Sequence, residues 1–177
     1  VAIVALNVIL CVGAATIFEP CPPKEDGSYM LCHWAGRMIV GLGGVIPQGQ
    51  SALKSLTVLE NILLPAQIYN SEVDIARAKN LMGAAGIEHL ENEMPNELSG
   101  GELRRMAVVR ALILKPAFVF ADEPTNDLDE ENTQIILKLL RKTADNGVGI
   151  MLVSHESEAA NFADKLYAMK GGTLSGE

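Results

Sequence analysis

The stretch "AFVFADEPT", residues 117–125, is the part of the sequence that decides the fold. Its short apolar run leads directly into two acidic residues, a pattern typical of a strand that is buried on both faces. The stretch "VGIMLVSH", residues 148–155, repeats the pattern and also ends in polar residues. A helical period of apolar residues lies between them, from about 129 to 144. Strand, helix and strand in alternation predict an α/β fold with a mostly parallel sheet covered by helices.

Both predicted strands end in polar side chains that can bind a metal ion or take part in acid–base catalysis. Asp122 and Glu123 follow the first strand, and Ser154 and His155 follow the second. Ligands of open parallel sheets bind beyond the carboxyl ends of the strands. Asp122 would suit Mg²⁺ beside a nucleotide, Glu123 could orient and deprotonate a water, and His155 could contact a leaving phosphate. Taken singly, the acid pair also fits a turn before Pro124, and the histidine fits a capping role.

The stretch "NELSGGELRR", residues 96–105, has the composition of an anion-binding helix start. Ser99 is a good N-cap, and the pattern predicts a helix from Ser99 to about Leu114. Glycines at 100 and 101 let a phosphate approach the free backbone N–H groups of that helix end. For Ser99, Gly100 and Gly101 alone, the alternative interpretation is an N-capped helix after a tight turn.

Other segments predict the remaining elements. Residues from about 58 to 68 have a helical pattern, and a second helix is predicted to start at an N-cap Ser71 and to end at Gly86. A short helix is predicted for residues 157–165 and a terminal hairpin for 165–177. The two arginines after the glycines, Arg104 and Arg105, are predicted to lie on a solvated or interface face.

Composition sets limits on what the chain can do. It has 177 residues with 49% hydrophobic side chains, enough for one globular domain with a sizeable core. The net charge of -8 argues against nucleic-acid binding, which needs clustered lysine and arginine. Three cysteines, at positions 11, 21 and 32, fit no closed disulfide framework and favour a reducing compartment.

The sequence before residue 45 differs from the rest. Its first eighteen residues are almost wholly apolar and would span about 27 Å as a helix, close to the roughly 30 Å of a bilayer core. A transmembrane helix, a signal peptide and a pair of buried strands are three alternatives for this run. No basic stretch precedes it, which weakens the signal-peptide interpretation.

Three motifs in order carry a family resemblance: "LSGGELRR", "FVFADEPTNDLD" and "LVSHE", between residues 98 and 156. Together they resemble the ATP-binding cassette ATPases, the motor subunits of ABC transporters, over residues 44 to 177. The resemblance implies part of a P-loop NTPase (RecA-like) parallel sheet, with an α-helical signature subdomain at about 53–112. The wording "LTVLEN" and "ADEPTNDLD" looks most like the subgroup that serves lipoprotein release and macrolide or antimicrobial-peptide export.

The resemblance assigns roles to individual residues, with ATP and Mg²⁺ as the cofactors. The signature motif and the D-loop, residues 126–129, would contact ATP. Asp122 ends the Walker B strand as a metal ligand, Glu123 is the catalytic carboxylate, and His155 is the switch histidine. "IPQGQSALKSLTVLEN" resembles the Q-loop segment, with Gln48 as the residue that contacts Mg²⁺ and water, and Gln50 as the alternative. The implied ATP contacts are Ser99, Gly100, Gly101, Glu102 and Asp129.

One part of the family pattern is not in the 177 residues. The P-loop, G-x-x-x-x-G-K-[ST], grips the β- and γ-phosphates, and this sequence contains no Gly-Lys-Ser or Gly-Lys-Thr. We therefore divide the chain into an atypical segment at 1–42 and a cassette domain at 43–177. A frameshifted, truncated or miscalled gene is one hypothesis. The other is a degenerate subunit that dimerises with a complete cassette.

The resemblance implies a subunit that couples ATP binding and hydrolysis to transport. Its partners would be a second cassette subunit and an integral-membrane permease, at the cytoplasmic face of the membrane, without nucleic acid. Without a P-loop we expect weak ATP binding and turnover by this chain alone. The alternative functions are a non-catalytic partner that supplies only its signature motif in trans, and a non-transport ATPase with the same head.

Overall fold

The computed structural model describes residues 2–6, 43–48, 52–69, 71–170 and 173–176. Its strands form one six-stranded sheet in the order β2-β3-β4-β1-β5-β6. The strands are β1 (Ala2–Leu6), β2 (Gly43–Ile46), β3 (Phe118–Asp122), β4 (Gly149–Ser154), β5 (Lys165–Lys170) and β6 (Thr173–Gly176). The α-helices are α1 (Val58–Ile68), α2 (Ile75–Ala84), α3 (Gly100–Leu112) and α4 (Glu130–Asp145).

Strands β2, β3 and β4 form the parallel part of the sheet. Val45 lies opposite Phe120, and Phe120 lies opposite Met151. The residues that alternate with these, among them Val119 and Ile150, point to the opposite face of the sheet. They are buried in the core with apolar side chains of α1, α3 and α4. Phe120 remains 47% exposed, so the prediction that β3 is buried on both faces is wrong. Among the described residues, helices cover one face of β3, whereas Phe120 and Asp122 on the opposite face are exposed.

Strand β1 lies between β4 and β5 and is antiparallel to both. The predicted terminal hairpin is present as β5 and β6, which pair antiparallel. Of the three alternatives for the apolar start, the strand is the one the structure has for Ala2–Leu6, and residues 7–18 lie outside the described part. Among the described residues, no helix is long and apolar enough to cross a bilayer.

The two helices that precede the signature stretch start at caps of different kinds. Thr57 caps α1 in a capping box with Glu60. Asp74 caps α2, because its carboxylate accepts the Arg77 N–H, and the predicted N-cap Ser71 lies outside the helix. Both Ser and Asp are good caps, and the helical turn begins at the later of the two.

Asn61 is a fully buried polar residue of α1. Its side-chain N–H group donates to the carbonyls of Leu53, Leu56 and Thr57, and its Oδ1 accepts the Leu53 N–H. All polar atoms of this side chain therefore have partners, as a buried amide requires. Asn61 therefore holds residues 53–57, the end of the loop that leads into α1, against the first turn of the helix.

The later helices follow the sequence prediction closely. Ser99 caps α3, which ends at Leu112, two residues before the predicted end. Asp129 caps α4. The short helix predicted after β4 is a 3₁₀ segment, Ser157–Phe162. Arg77 of α2 donates to the carbonyls of Leu112 and Ile113 at the end of α3, at 2.9 and 3.1 Å.

Candidate functional site

The parallel strands bring four of the predicted site residues to one edge of the sheet. Ile46 lies opposite Ala121, and Asp122 lies opposite Val153. Gln48, Asp122, Glu123 and His155 therefore all follow at the carboxyl ends of β2, β3 and β4. This is the edge where open parallel sheets bind ligands. Gln50, the alternative to Gln48, lies outside the described residues.

Glu123 and His155 are in direct contact across this edge. His155 Nδ1 lies 2.5 Å from Glu123 Oε2, with 57% of the histidine side chain and 16% of the carboxylate side chain exposed. The Glu123 backbone donates to the Val153 carbonyl at 2.9 Å and has a φ of 49°. A non-glycine residue in this left-handed region stores backbone strain, which is common at functional sites. The backbone thus turns sharply where the carboxylate meets the imidazole.

A second contact joins the same two loops, and sequence reasoning did not find it. The Thr125 hydroxyl donates to the Glu156 carboxylate at 2.6 Å, and Thr125 is only 1% exposed. The Glu156 N–H donates in turn to the Ser154 hydroxyl. Charge-assisted hydrogen bonds of this kind are stronger than neutral ones. The segment after Glu123 is therefore tied to the segment after His155.

The side chains at this edge fit Mg²⁺ that arrives with a nucleotide. Asp122 and Gln48 are both exposed and offer a carboxylate and an amide oxygen. In the part of the chain that the structure describes, no three histidine, cysteine, aspartate or glutamate side chains cluster as a metal site. Mg²⁺ is usually held by one or two protein oxygens together with substrate phosphates. Asp122 and Gln48 suit that shared coordination.

The signature stretch forms a second group of predicted site residues, at the N-terminus of α3. The Ser99 N–H donates to Glu102 Oε2 at 2.8 Å, the Ser99 hydroxyl donates to the same oxygen at 2.7 Å, and the Glu102 N–H lies 3.3 Å from the hydroxyl. These bonds to Ser99 hold the pKa of the Glu102 carboxyl below its usual value. Both side chains are thus engaged in a capping box.

The two signature glycines have different surroundings. A Cβ on Gly100 would meet nothing within 4 Å. A Cβ on Gly101 would lie 2.7 Å from Asn132 Cγ. Gly100 is exposed and open to a ligand, whereas Gly101 is buried against α4.

Asp129 closes the D-loop and caps α4. Its carboxylate accepts the Asn132 N–H at 2.8 Å and the Asn132 side-chain amide at 2.8 and 2.9 Å. These bonds, the backbone one first, hold the pKa of the Asp129 carboxyl below its usual value. Asp127 of the same loop has a φ of 61°, in the left-handed region.

Arg104 corrects a prediction from the sequence. It is 9% exposed rather than solvated, and its guanidinium donates to the Pro47 carbonyl at 2.8 Å. Burial lowers the pKa of Arg104. The side chain therefore connects α3 to the residue before Gln48. A contact between residues so far apart in sequence has no local signal that could have revealed it.

Two family models match parts of the chain. A family model described as ABC transporter matches residues 37–126. A model for a domain of unknown function, DUF4418, matches residues 3–69 and so overlaps the first at 37–69.

Two curated relatives and one solved structure show the extent of the similarity. The lipoprotein-releasing system ATP-binding protein LolD of Rickettsia bellii is 39% identical over 135 residues, covering 75% of this chain and 61% of that protein. The macrolide export ATP-binding/permease protein MacB of Chlorobaculum tepidum is 34% identical, covering 75% of this chain and 21% of that one. The dimeric ATP-binding cassette MJ0796 bound to ADP and Pi superposes with a TM-score of 0.71 at 29% identity, covering 80% of this chain and 65% of that one. The chain thus spans less than two thirds of these relatives.

Proposed function

The chain belongs to the ABC transporter family, and from this premise we propose that it is the ATP-binding subunit of an exporter. It would couple the binding and hydrolysis of ATP to movement of a substrate across a membrane. The names of its relatives, LolD for lipoprotein release and MacB for macrolide export, support the export subgroup. One observation carries the proposal: the sheet brings Gln48, Asp122, Glu123 and His155 to a single edge.

In the proposed reaction each of these side chains has a separate task. Mg²⁺ supplies positive charge to the phosphates when it is bound, and Asp122 and Gln48 would hold it. Glu123 orients a water molecule and takes its proton. His155 keeps the Glu123 carboxylate in place through the 2.5 Å contact and faces solvent where a phosphate would lie. Ser99, Gly100 and Gly101 offer the N-terminus of α3 to the phosphate of a site shared with a second cassette.

The 177 residues alone are expected to turn over little ATP, since they contain no Gly-Lys-Ser or Gly-Lys-Thr. Phosphate release from Mg-ATP by the purified chain measures this. The variant Glu123→Gln removes the base, and Glu93→Gln is a matched control because Glu93 is exposed and outside the site. Robust turnover that is lost only in Glu123→Gln would overturn the expected weakness and leave the family role intact.

The second candidate function is a non-catalytic partner that uses its signature motif in trans. The open N-terminus of α3 at Gly100 favours it. A mixture with a complete cassette, incubated with ATP that carries a photoreactive group on its γ-phosphate, should label residues 98–102 of this chain. Labelling should fall in Ser99→Ala and persist in Glu123→Gln. Labelling confined to the complete cassette would contradict the trans role.

A membrane permease is the proposed second partner, at the cytoplasmic face of the membrane. Exposed apolar side chains support it, at the end of α1 and in the loop into α2. Ile68 is 63% exposed, Tyr69 43%, Val73 40% and Ile75 51%. Clustered exposed apolar residues mark protein or membrane contacts. Co-purification with a permease encoded next to the gene should be lost in Ile68→Asp and kept in Glu93→Gln, and unchanged binding in Ile68→Asp would argue against this surface.

A further inference from the structure

The N-terminus of α3 lies against the N-terminal turn of α4 at the Asn132 side chain. A Cβ built on Gly101 would lie 2.7, 2.8 and 2.9 Å from Asn132 Cγ, Oδ1 and Nδ2. Real Cβ atoms do not come so close to other heavy atoms, so the space at position 101 is filled by this amide. A side chain at position 101 would therefore have to displace the Asn132 amide, whether or not a ligand is bound.

The same amide holds the D-loop. Asn132 Nδ2 donates to both carboxylate oxygens of Asp129, and its backbone N–H donates to one of them. The Asn132 amide thus lies against Gly101 on one side and is hydrogen-bonded to the Asp129 carboxylate on the other. A displacement of the amide by Gly101 would therefore change its bonds to Asp129.

We propose that Asn132 is a positioning residue that couples the signature turn at Gly101 to the D-loop carboxylate of Asp129. A movement of the Gly101 backbone towards α4 would displace the Asn132 amide, and its two side-chain bonds to Asp129 would then lengthen or re-form. That Gly101 and Asp129 both belong to a nucleotide site rests on the proposed function. The coupling itself is a property of the folded chain without nucleotide.

A pair of glycine substitutions separates this role from simple helix propensity. Alanine is a better helix former than glycine, so Gly100→Ala, whose methyl group would meet nothing, should leave the Tm unchanged or slightly higher. Gly101→Ala should lower the Tm by about 3 to 6 °C, because its methyl group displaces Asn132. Gly101→Ala/Asn132→Ala should be as stable as Asn132→Ala alone or slightly more stable, since the three atoms nearest to the new methyl group have been removed and alanine favours the helix.

The decisive measurement is the titration of the Asp129 carboxyl, followed by its ¹³C chemical shift and assigned by the loss of the signal in Asp129→Asn. In Asn132→Ala the midpoint should rise towards the usual value, because the two side-chain bonds are lost and only the backbone bond remains. In Gly101→Ala the midpoint should rise as well, although the three atoms nearest to the new methyl group all belong to Asn132 and none to Asp129. In Gly100→Ala it should stay at the wild-type value.

Two results would overturn the proposal. One is a folded Gly101→Ala chain with a wild-type Asp129 midpoint. The other is a double variant whose losses are the sum of the two single losses. If Gly101→Ala does not fold, Gly101→Ala/Asn132→Ala must fold, and its failure to do so also overturns the coupling. None of these measurements uses nucleotide, so an inactive chain would weaken the proposed function and leave this test unaffected.

Discussion

The carboxyl edge of the sheet and the N-termini of α3 and α4 hold their polar side chains by different kinds of contact. At the sheet edge the partners are far apart in sequence: Thr125 and Glu156 are 31 residues apart, and Arg104 and Pro47 are 57 apart. At the helix N-termini, Ser99 pairs with Glu102 three residues on, and Asp129 pairs with Asn132.

The difference concerns burial as well as distance along the chain. Thr125 and Arg104 are buried, at 1% and 9% exposure, whereas Ser99 and Asp129 are exposed. A buried polar group that loses its partner cannot turn to water, so its loss costs more free energy than the loss of an exposed cap. Substitutions at the few buried contacts of the sheet edge should therefore lower the free energy of unfolding more than substitutions at the exposed caps of the helix N-termini.

The largest effect is expected for Arg104→Met at the sheet edge. Methionine keeps the apolar stem but leaves the Pro47 carbonyl without its donor, which should lower the free energy of unfolding by about 3 kcal/mol. Chemical denaturation measures the loss. Arg104→Lys serves as the control and should recover part of the stability. A loss below that of a cap variant would break the comparison.

Thr125→Val should have the second-largest effect on the free energy of unfolding. The shape is preserved while the hydroxyl donor to Glu156 is lost, which should cost about 2 kcal/mol because the acceptor is charged. Thr125→Ser keeps the donor and should lie closer to wild type. Equal stability of the Val and Ser variants in thermal unfolding would show that the hydrogen bond contributes nothing.

Ser99→Ala at the N-terminus of α3 should have a smaller effect. Loss of the N-cap should cost about 1 kcal/mol. It should also raise the pKa of Glu102 towards its usual value, since Ser99 is the main cause of the lowering. Unfolding by urea and a ¹³C titration of Glu102 check the two parts, and Ser99→Thr, which keeps a hydroxyl, should restore both.

Asp129→Asn should have the smallest effect, and it should depend on pH. Asparagine is as good a cap as aspartate, so the losses are the charge at the helix N-terminus and one of the two oxygens that accept from the Asn132 side-chain amide. Because the pKa of Asp129 is lowered in the folded chain, the ionised carboxylate stabilises the fold above the usual aspartate pKa. That stabilisation is lost as the pH falls through the lowered value. The Tm difference from wild type should be present at pH 7 and absent in acid, and a difference that grows in acid would contradict the assignment.

Local sequence patterns predicted the parts of this site that depend on neighbours along the chain. The strand ends at Asp122 and Ser154, and the cap at Ser99, were predicted because each depends on apolar runs or on spacings of three. Where two good caps lay close together, at Ser71 and Asp74, propensity gave no means of choosing.

Contacts between distant parts of the chain could not be predicted in this way. Nothing near Arg104 in the sequence indicates that its guanidinium is buried on the Pro47 carbonyl, and its charge alone favoured a solvated position. Asn132 was also missed, since its spacing from Asp129 reveals the cap but not the contact with Gly101. The open face at Phe120 depends on which elements cover the sheet, and the apolar run of β3 does not contain that information.

The two hydrogen bonds from Arg77 to the last carbonyls of α3 give the helical part of the molecule a mechanical property. They clamp α2 to one end of a helix about 20 Å long, and the signature turn lies at its other end. A helix is stiff along its axis. A displacement of α2 at the exposed side chain of Ile75, its first residue, should therefore move α3 as a rigid body and shift Ser99 at its other end. Arg77→Met would remove both bonds, so if a partner binds at Ile75, we expect hydrogen exchange at the first amides of α3 to respond to it in the wild-type chain and not in this variant.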